Sequence, residues 1–202
     1  MAQFGIRENL PPVVKNLIIA NVVVFLAQVV FEQQEMPLEP MFALRPLSSG
    51  EFRPWQLVTH MFMHGGMFHI LFNMFGLWMF GSILENYWGP KRFLQFYVIC
   101  GLVAGTAHLL LSDGSAIGAS GAVMGVFAAF AYLFPNTPLY LMFIPIPIKA
   151  KWLMPALILV DVFGAVAPQQ GDNIAHWAHI GGALAGLALV MIWNKRNRNT
   201  FY

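Results

Sequence analysis

The chain has 202 residues, of which 58% are hydrophobic and only 10% charged, with a mean hydropathy of +0.63 and a formal net charge of +2. A soluble domain of this size carries about 25% charged residues, so the composition excludes a water-soluble globular domain and implies that hydrocarbon faces most of the surface. The lone cysteine, Cys100, excludes an intrachain disulfide and leaves redox chemistry without a second thiol.

A polar head containing Arg7, Glu8, Pro11, Pro12 and Lys15 precedes the first apolar run, from roughly Asn16 to Phe31. That run ends in Glu32-Gln33-Gln34-Glu35 with no small-residue cleavage site, so it reads as a retained membrane helix and not a signal peptide. One long connection follows, from about Gln33 to Gly65. Five further apolar runs cover roughly Gly66 to Leu84, Phe93 to Ser112, Ala116 to Phe134, Trp152 to Ala167 and Ile174 to Trp193. At about 1.5 Å per residue most of the six reach across a hydrocarbon core, the fifth marginally. Between the fourth and fifth runs, Leu139 to Ile148 contains Pro145 and Pro147, cannot continue as a regular helix, and is predicted as a connecting or interfacial segment. The predicted fold class is therefore an all-α integral membrane protein of six helices, forming one domain over residues 1–202 without internal repeats.

Six spans sort the charges. Arg7, Lys15, Lys91, Arg92, Lys149, Lys151, Lys195, Arg196 and Arg198 fall on one side. The other receives Arg45 and Arg53 together with Glu32, Glu35, Glu39, Glu51, Asp113 and Asp172. Lys and Arg concentrate in cytoplasmic loops, so both termini are expected to be cytoplasmic.

Polar residues within the spans then acquire depths. Ser120 is expected a few residues into the fourth span, His179 about five residues into the sixth, and His69 and Asn73 in the first two turns of the second, all measured from the outer face. A serine and a histidine at one depth are the minimum set for nucleophilic acyl chemistry. Gly118, Ala119, Gly121, Ala122 and Gly125 open the fourth span, and Gly181, Gly182, Ala183, Ala185 and Gly186 lie in the sixth. Small residues let two membrane helices approach closely, which would bring His179 to Ser120.

The motifs Gly118-Ala119-Ser120-Gly121, Ala178-His179-Ile180-Gly181-Gly182 continuing to Gly186, and His60-Met61-Phe62-Met63-His64 followed by His69 to Asn73 resemble the rhomboid family of intramembrane serine proteases. The likeness runs from roughly Arg53 to Gly186. It implies a six-helix rhomboid-like bundle in which Ser120 is the nucleophile and His179 the general base, a dyad with no acidic third member. It also implies an oxyanion hole formed by His69, Asn73 and the backbone N–H of Ser120. His64, Gly118 and Met124 are supporting candidates around that site. Where many members have Trp-Arg in the first outer loop, this chain has Trp55-Gln56 with Arg53 nearby. Met124 occupies a position where some members stack an aromatic residue on the catalytic histidine. Glu85 matches a family glutamate that helps brace the outer loop and helices.

Two other function classes compete with this one. His60 and His64 have the i, i+4 spacing that puts two imidazoles on one helical face, a metal-ligand pattern, but Met61, Phe62 and Met63 between them supply no carboxylate base. A client-binding protein on a protease scaffold would not need Ser120 and His179. His176 is a weaker alternative base. His108 and Asp161 match no catalytic motif, and for Asp161 a structural hydrogen bond is expected. The function read from the sequence is a serine endopeptidase cutting in or near transmembrane segments of single-span or other membrane proteins. It needs no metal or cofactor, takes the lipid bilayer and not nucleic acid as partner, and is expected in a bacterial inner (plasma) membrane.

Overall fold

The computed structural model describes residues 10–141, 144–167 and 171–198; Arg7 and Glu8 of the polar head lie outside the described residues. The principal helices are α1 (Pro12–Gln33), α2 (Met67–Trp88), α3 (Pro90–Leu111), α4 (Ser120–Leu133), α5 (Ala150–Val166) and α6 (His176–Arg198). By length and composition α1, α2, α3 and α6 suffice to cross a membrane. Helix α4 has only 14 residues and α5 has 17, about 21 and 25 Å against a hydrocarbon core of about 30 Å. The expected all-helical chain also carries a hairpin, β1 (Pro138–Leu141) against β2 (Ile144–Lys149), antiparallel with Leu139 opposite Ile148. Pro145 and Pro147 forbid a helix there, but two prolines at alternate positions still leave one strand edge able to pair.

Helix α1 begins with Pro12 in its first turn, where a missing N–H costs nothing. The free Val13 and Val14 N–H groups donate to the two oxygens of Glu85, at 2.9 and 2.8 Å. Glu85 is buried. It therefore caps the start of α1 from the end of α2, at the opposite end of the bundle from the long loop. The bracing of the outer loop implied for this glutamate is not what it does. At the same end, the Arg92 guanidinium lies over the Trp193 ring at 4.4 Å, joining the start of α3 to the end of α6. Helix α1 buries one narrow stripe, Val14, Leu17, Asn21 and Phe25, and exposes Ile19, Val23, Leu26 and Val30. Such an outward apolar face suits hydrocarbon or a packed helix, not water.

Helices α4 and α6 form the centre. A Cβ on Gly182 would overlap the Gly121 carbonyl, one on Gly186 would overlap Gly125 backbone, and one on Gly125 would lie 2.8 Å from the Gly182 oxygen. The glycine faces read from the sequence thus meet backbone to backbone. Helix α3 closes the other side, with Cys100 against Gly125 and Ala104 against Gly121.

The long loop is ordered by polar contacts. Buried Gln56 accepts from the Arg45 and Arg53 N–H groups, at 3.2 and 3.1 Å, and donates to the Met41 carbonyl at 3.3 Å. A neutral amide with one acceptor and two donors satisfies three backbone segments together, which accounts for glutamine at this position. Gln28 of α1 pairs reciprocally with the His64 backbone, at 2.9 and 3.2 Å. Leu44 bridges Ala116, tying the loop to the segment that precedes α4.

Replacing Glu85 with Ala strands two buried N–H groups, and we expect a stability loss of about 1–3 kcal/mol, read as a lower thermal midpoint in detergent. The same change at exposed Glu35 should leave the midpoint unaltered.

Candidate active site

Ser120 is the first residue of α4, not several residues inside it as the hydropathy suggested. The preceding segment ends in Gly118-Ala119, and Gly118 has φ of 117°, a value side-chain-bearing residues rarely adopt. Its N–H donates to the His60 carbonyl at 2.8 Å. Being first in the helix, Ser120 has an N–H with no intrahelical acceptor, so that donor stays available beside its own hydroxyl. The His179 Nε2 lies 2.8 Å from Ser120 Oγ. The pair predicted from sequence is therefore brought into hydrogen-bond contact across the α4–α6 glycine seam.

His69 approaches from α2. A Cβ on Gly118 would be 2.7 Å from His69 Nε2 and 3.7 Å from Ser120 Oγ, so the imidazole edge occupies the space that glycine vacates next to the serine. His69 Nδ1 accepts the Gly65 N–H at 3.2 Å. An accepting Nδ1 places the proton of the neutral ring on Nε2, turning a donor toward Ser120. Asn73 differs from expectation in part. Its amide donates to the His69 carbonyl at 2.8 Å, within its own helix, and its oxygen is buried without a partner; the second amide hydrogen is not used in that bond.

The largest departure concerns acid. The dyad implied by the family resemblance has no carboxylate behind the histidine, yet Asp161 Oδ1 of α5 lies 2.9 Å from His179 Nδ1. The same oxygen is 2.7 Å from His176 Nδ1, and His176 Nε2 is 3.0 Å from Asp172 Oδ2. The hydrogen bond from His176 holds the Asp172 carboxyl below its usual range. The physical reason is rotational: α5 packs on α6 with the Asp161 face inward, although nothing in the local pattern around Asp161 sets that rotation. An acid isolated in an apolar run was the available signal.

His60 and His64 do not share a helical face. His60 lies in a short 3-10 turn and Met63 is extended. The His60 Nδ1 is 2.7 Å from the Gln56 carbonyl, and the His64 ring lies edge-on to His69 with centroids 5.1 Å apart. Burial pushes both histidines down to about 4, aided at His64 by the neighbouring His69. His108 Nε2 lies 2.9 Å from the Gly114 carbonyl, a loop contact. Met124 is partly buried against the core. Among the described residues, Asp161, His176 and His179 offer three metal-ligand atoms within 4.8 Å of one another. Those atoms are already joined by hydrogen bonds, and a metal drawing on His179 would compete with its contact to Ser120. A cavity of about 10 Å³ beside Ser120, lined in part by His60, Gly118, Ala175 and Ala178, has room for about one water.

A polytopic helical membrane protein holding a hydrogen-bonded serine–histidine pair at the mouth of a short central helix is the class defined by this fold and site. The Rhomboid domain family profile matches residues 51–196. The chain belongs to the rhomboid family. It is 33% identical over 207 residues to RHOMBOID-like protein 12, mitochondrial, of Arabidopsis thaliana, covering 92% of this chain and 60% of that protein. It is 31% identical over 194 residues to the human Presenilin-associated rhomboid-like protein, mitochondrial, covering 91% of this chain and 50% of that one. The mouse counterpart is 30% identical over the same length. The chain thus spans about half the length of the relatives it matches. They are mitochondrial by name, so the expected bacterial plasma membrane finds no support in them; a multi-pass integral membrane protein does.

His60 is a stability switch with a defined sign. Its folded-state value near 4 lies below the ordinary 6.5, so between these pH values the unfolded chain binds more protons. Stability is fully present above about pH 6.5 and falls by on the order of 3 kcal/mol as pH drops to 4. In His60→Asn the fall in thermal midpoint over this interval should shrink, whatever the variant's stability at neutral pH.

Proposed function

We propose that this protein is an intramembrane serine endopeptidase that cleaves membrane proteins in or near their transmembrane segments. The observation that carries the reading is the 2.8 Å contact between His179 Nε2 and Ser120 Oγ, within a chain of the rhomboid family. His179 takes the Ser120 proton as the hydroxyl oxygen attacks the scissile carbonyl. The developing oxyanion meets the Ser120 N–H, the His69 Nε2–H and the free hydrogen of the Asn73 amide; loss of one such donor typically costs about 10² to 10³ in rate. The protonated His179 then gives its proton to the leaving amine. A water, deprotonated by the same imidazole, hydrolyses the acyl-serine and restores Ser120.

All six principal helices cross the membrane in this reading, with both ends of the bundle's chain on the side rich in Lys and Arg. The shortness of α4 supports it: a 14-residue helix among longer ones leaves the 112–119 segment before it to complete the crossing. Non-helical backbone at such depth is tolerated because it is paired and covered by protein. Here the pairing is with Leu44 and His60. A substrate helix must unwind before a carbonyl can reach Ser120, because an intact helix engages its carbonyls in its own hydrogen bonds.

Reconstituted wild-type protein should cut a panel of single-span substrates and become labelled by a fluorophosphonate, and Ser120→Ala should lose both. Cleavage retained in Ser120→Ala, or abolished by EDTA in the wild type, would defeat the proposal. Replacing helix-breaking Gly or Pro near the cut with Leu should slow cleavage by at least about tenfold, as one unwinding step worth at least about 1.4 kcal/mol requires; unchanged rates would show that unwinding is not part of recognition.

A further inference from the structure

We propose that Asp161, His176 and His179 form a binding site for a divalent transition-metal ion, Zn²⁺ by the chemistry of the donors, and that occupancy of this site reversibly silences Ser120. The inference rests on the reading of Ser120 and His179 as nucleophile and base.

Helix α6 carries His176 and His179 at i and i+3, neighbouring positions on one helical face, and α5 brings a carboxylate to both. Asp161 Oδ1 is 2.7 Å from His176 Nδ1 and 2.9 Å from His179 Nδ1. One ligand atom from each of the three residues lies within 4.8 Å of the others. Zn²⁺ bonds such atoms at about 2.0–2.2 Å, which sets tetrahedral donors about 3.4 Å apart, so side-chain shifts of about 1 Å or less bring these donors onto one ion. Asp161 and His176 are buried. Gly164 of α5 lies where any Cβ would collide with the His176 ring, so α5 makes room for this imidazole beside its own acid.

The far side of each ring separates a metal site from a mere hydrogen-bonded cluster. A metal-bound histidine keeps its other nitrogen protonated and donates it to an acceptor. His176 Nε2 faces Asp172 Oδ2 at 3.0 Å, and His179 Nε2 faces Ser120 Oγ at 2.8 Å. Both rings thus turn Nδ1 to the centre and Nε2 to an oxygen, the orientation that ligation through Nδ1 requires. Two imidazoles and a carboxylate suit Zn²⁺ over Mg²⁺ and Ca²⁺, which favour oxygen donors, and three protein ligands leave the fourth position to water. Asp172 is exposed, so an ion from water reaches the cluster past it.

Ligation reverses the role of His179. With Nδ1 on the metal, the proton of the neutral ring sits on Nε2, directed at the Ser120 hydroxyl. Such a ring donates to Ser120 and takes no proton from it, so attack on a carbonyl stops while the ion is bound. His176 keeps its Nε2 proton on Asp172 and serves only to hold the ion.

Tag-free, reconstituted wild-type protein should lose cleavage of a single-span substrate at least about tenfold in about 100 µM Zn²⁺, as a Kd of about 10 µM or tighter requires. EDTA should restore the rate, and Mg²⁺ at the same concentration should leave it unchanged. Measured against each variant's own metal-free rate, His176→Gln and Asp172→Asn should need about 10- to 100-fold more Zn²⁺ for the same fractional loss. Equilibrium dialysis should find a single tight Zn²⁺ per wild-type chain and a correspondingly weaker one in each variant, a readout that needs no cleavage. Asp172 is exposed, so Asp172→Asn decides where His176→Gln does not fold. Undiminished cleavage in about 100 µM Zn²⁺, or inhibition and dialysis that the deciding variant leaves unshifted, overturns the proposal. Cleavage surviving in Ser120→Ala would instead overturn the protease reading and leave the dialysis result standing.

Discussion

Close contact between the backbones of α4 and α6 is the constraint on which the rest of the molecule depends. Gly121 and Gly125 lie against Gly182 and Gly186 with no room for a Cβ at the contact. In a bilayer, helices gain little from burying apolar side chains, and association relies on close van der Waals packing. The seam therefore both holds the centre together and sets the reach of His179 to Ser120, each placed in the first turn of its helix. Larger residues at the seam would separate the two groups by more than a hydrogen bond tolerates. Helix packing and the Ser120–His179 contact here share one set of glycines.

Around that seam the protein concentrates polar groups where an apolar bundle would otherwise exclude them. Each is held by a neighbour of defined chemistry. Glu85 caps the start of α1, Gln56 gathers three loop segments, Gln28 pairs with the His64 backbone, and Asp161 joins His176 to His179. In a low-dielectric interior an unpaired polar group is expensive, so these contacts confine each helix to one rotation and one depth. The site gains its rigidity from the same economy. His69 is turned by the Gly65 N–H and fills the space beside Gly118, so the orientation of its ring is fixed.

Much of this was legible in the chain because hydropathy is a local property. The first, third and sixth apolar runs correspond to α1, α3 and α6 within a few residues, and the proline pattern correctly denied a helix to residues 139–141 and 144–148. Ser120 and His179 were legible because small residues and isolated polar ones stand out against apolar runs. The start of α4 was not: Ala116 to Ala119 are as apolar as a helix interior, and only the positive φ of Gly118 and its hydrogen bond to His60 end the loop where it ends. The hairpin was equally hidden, since strand pairing depends on a partner segment.

By itself, then, the sequence determined a helical membrane protein, the approximate limits of its helices, the glycine faces that meet and the serine and histidine they carry. Only the tertiary structure decided that Ser120 opens its helix, that Glu85 caps α1 and that Asp161 stands behind His179. The reason is that hydropathy and small-residue spacing record what a helix is surrounded by, whereas the partner of a buried polar group depends on how one helix is turned against another. Asp161 and His179 are 18 residues apart on different helices. Their meeting exists only once α5 has packed, with Gly164 beneath His176, onto α6.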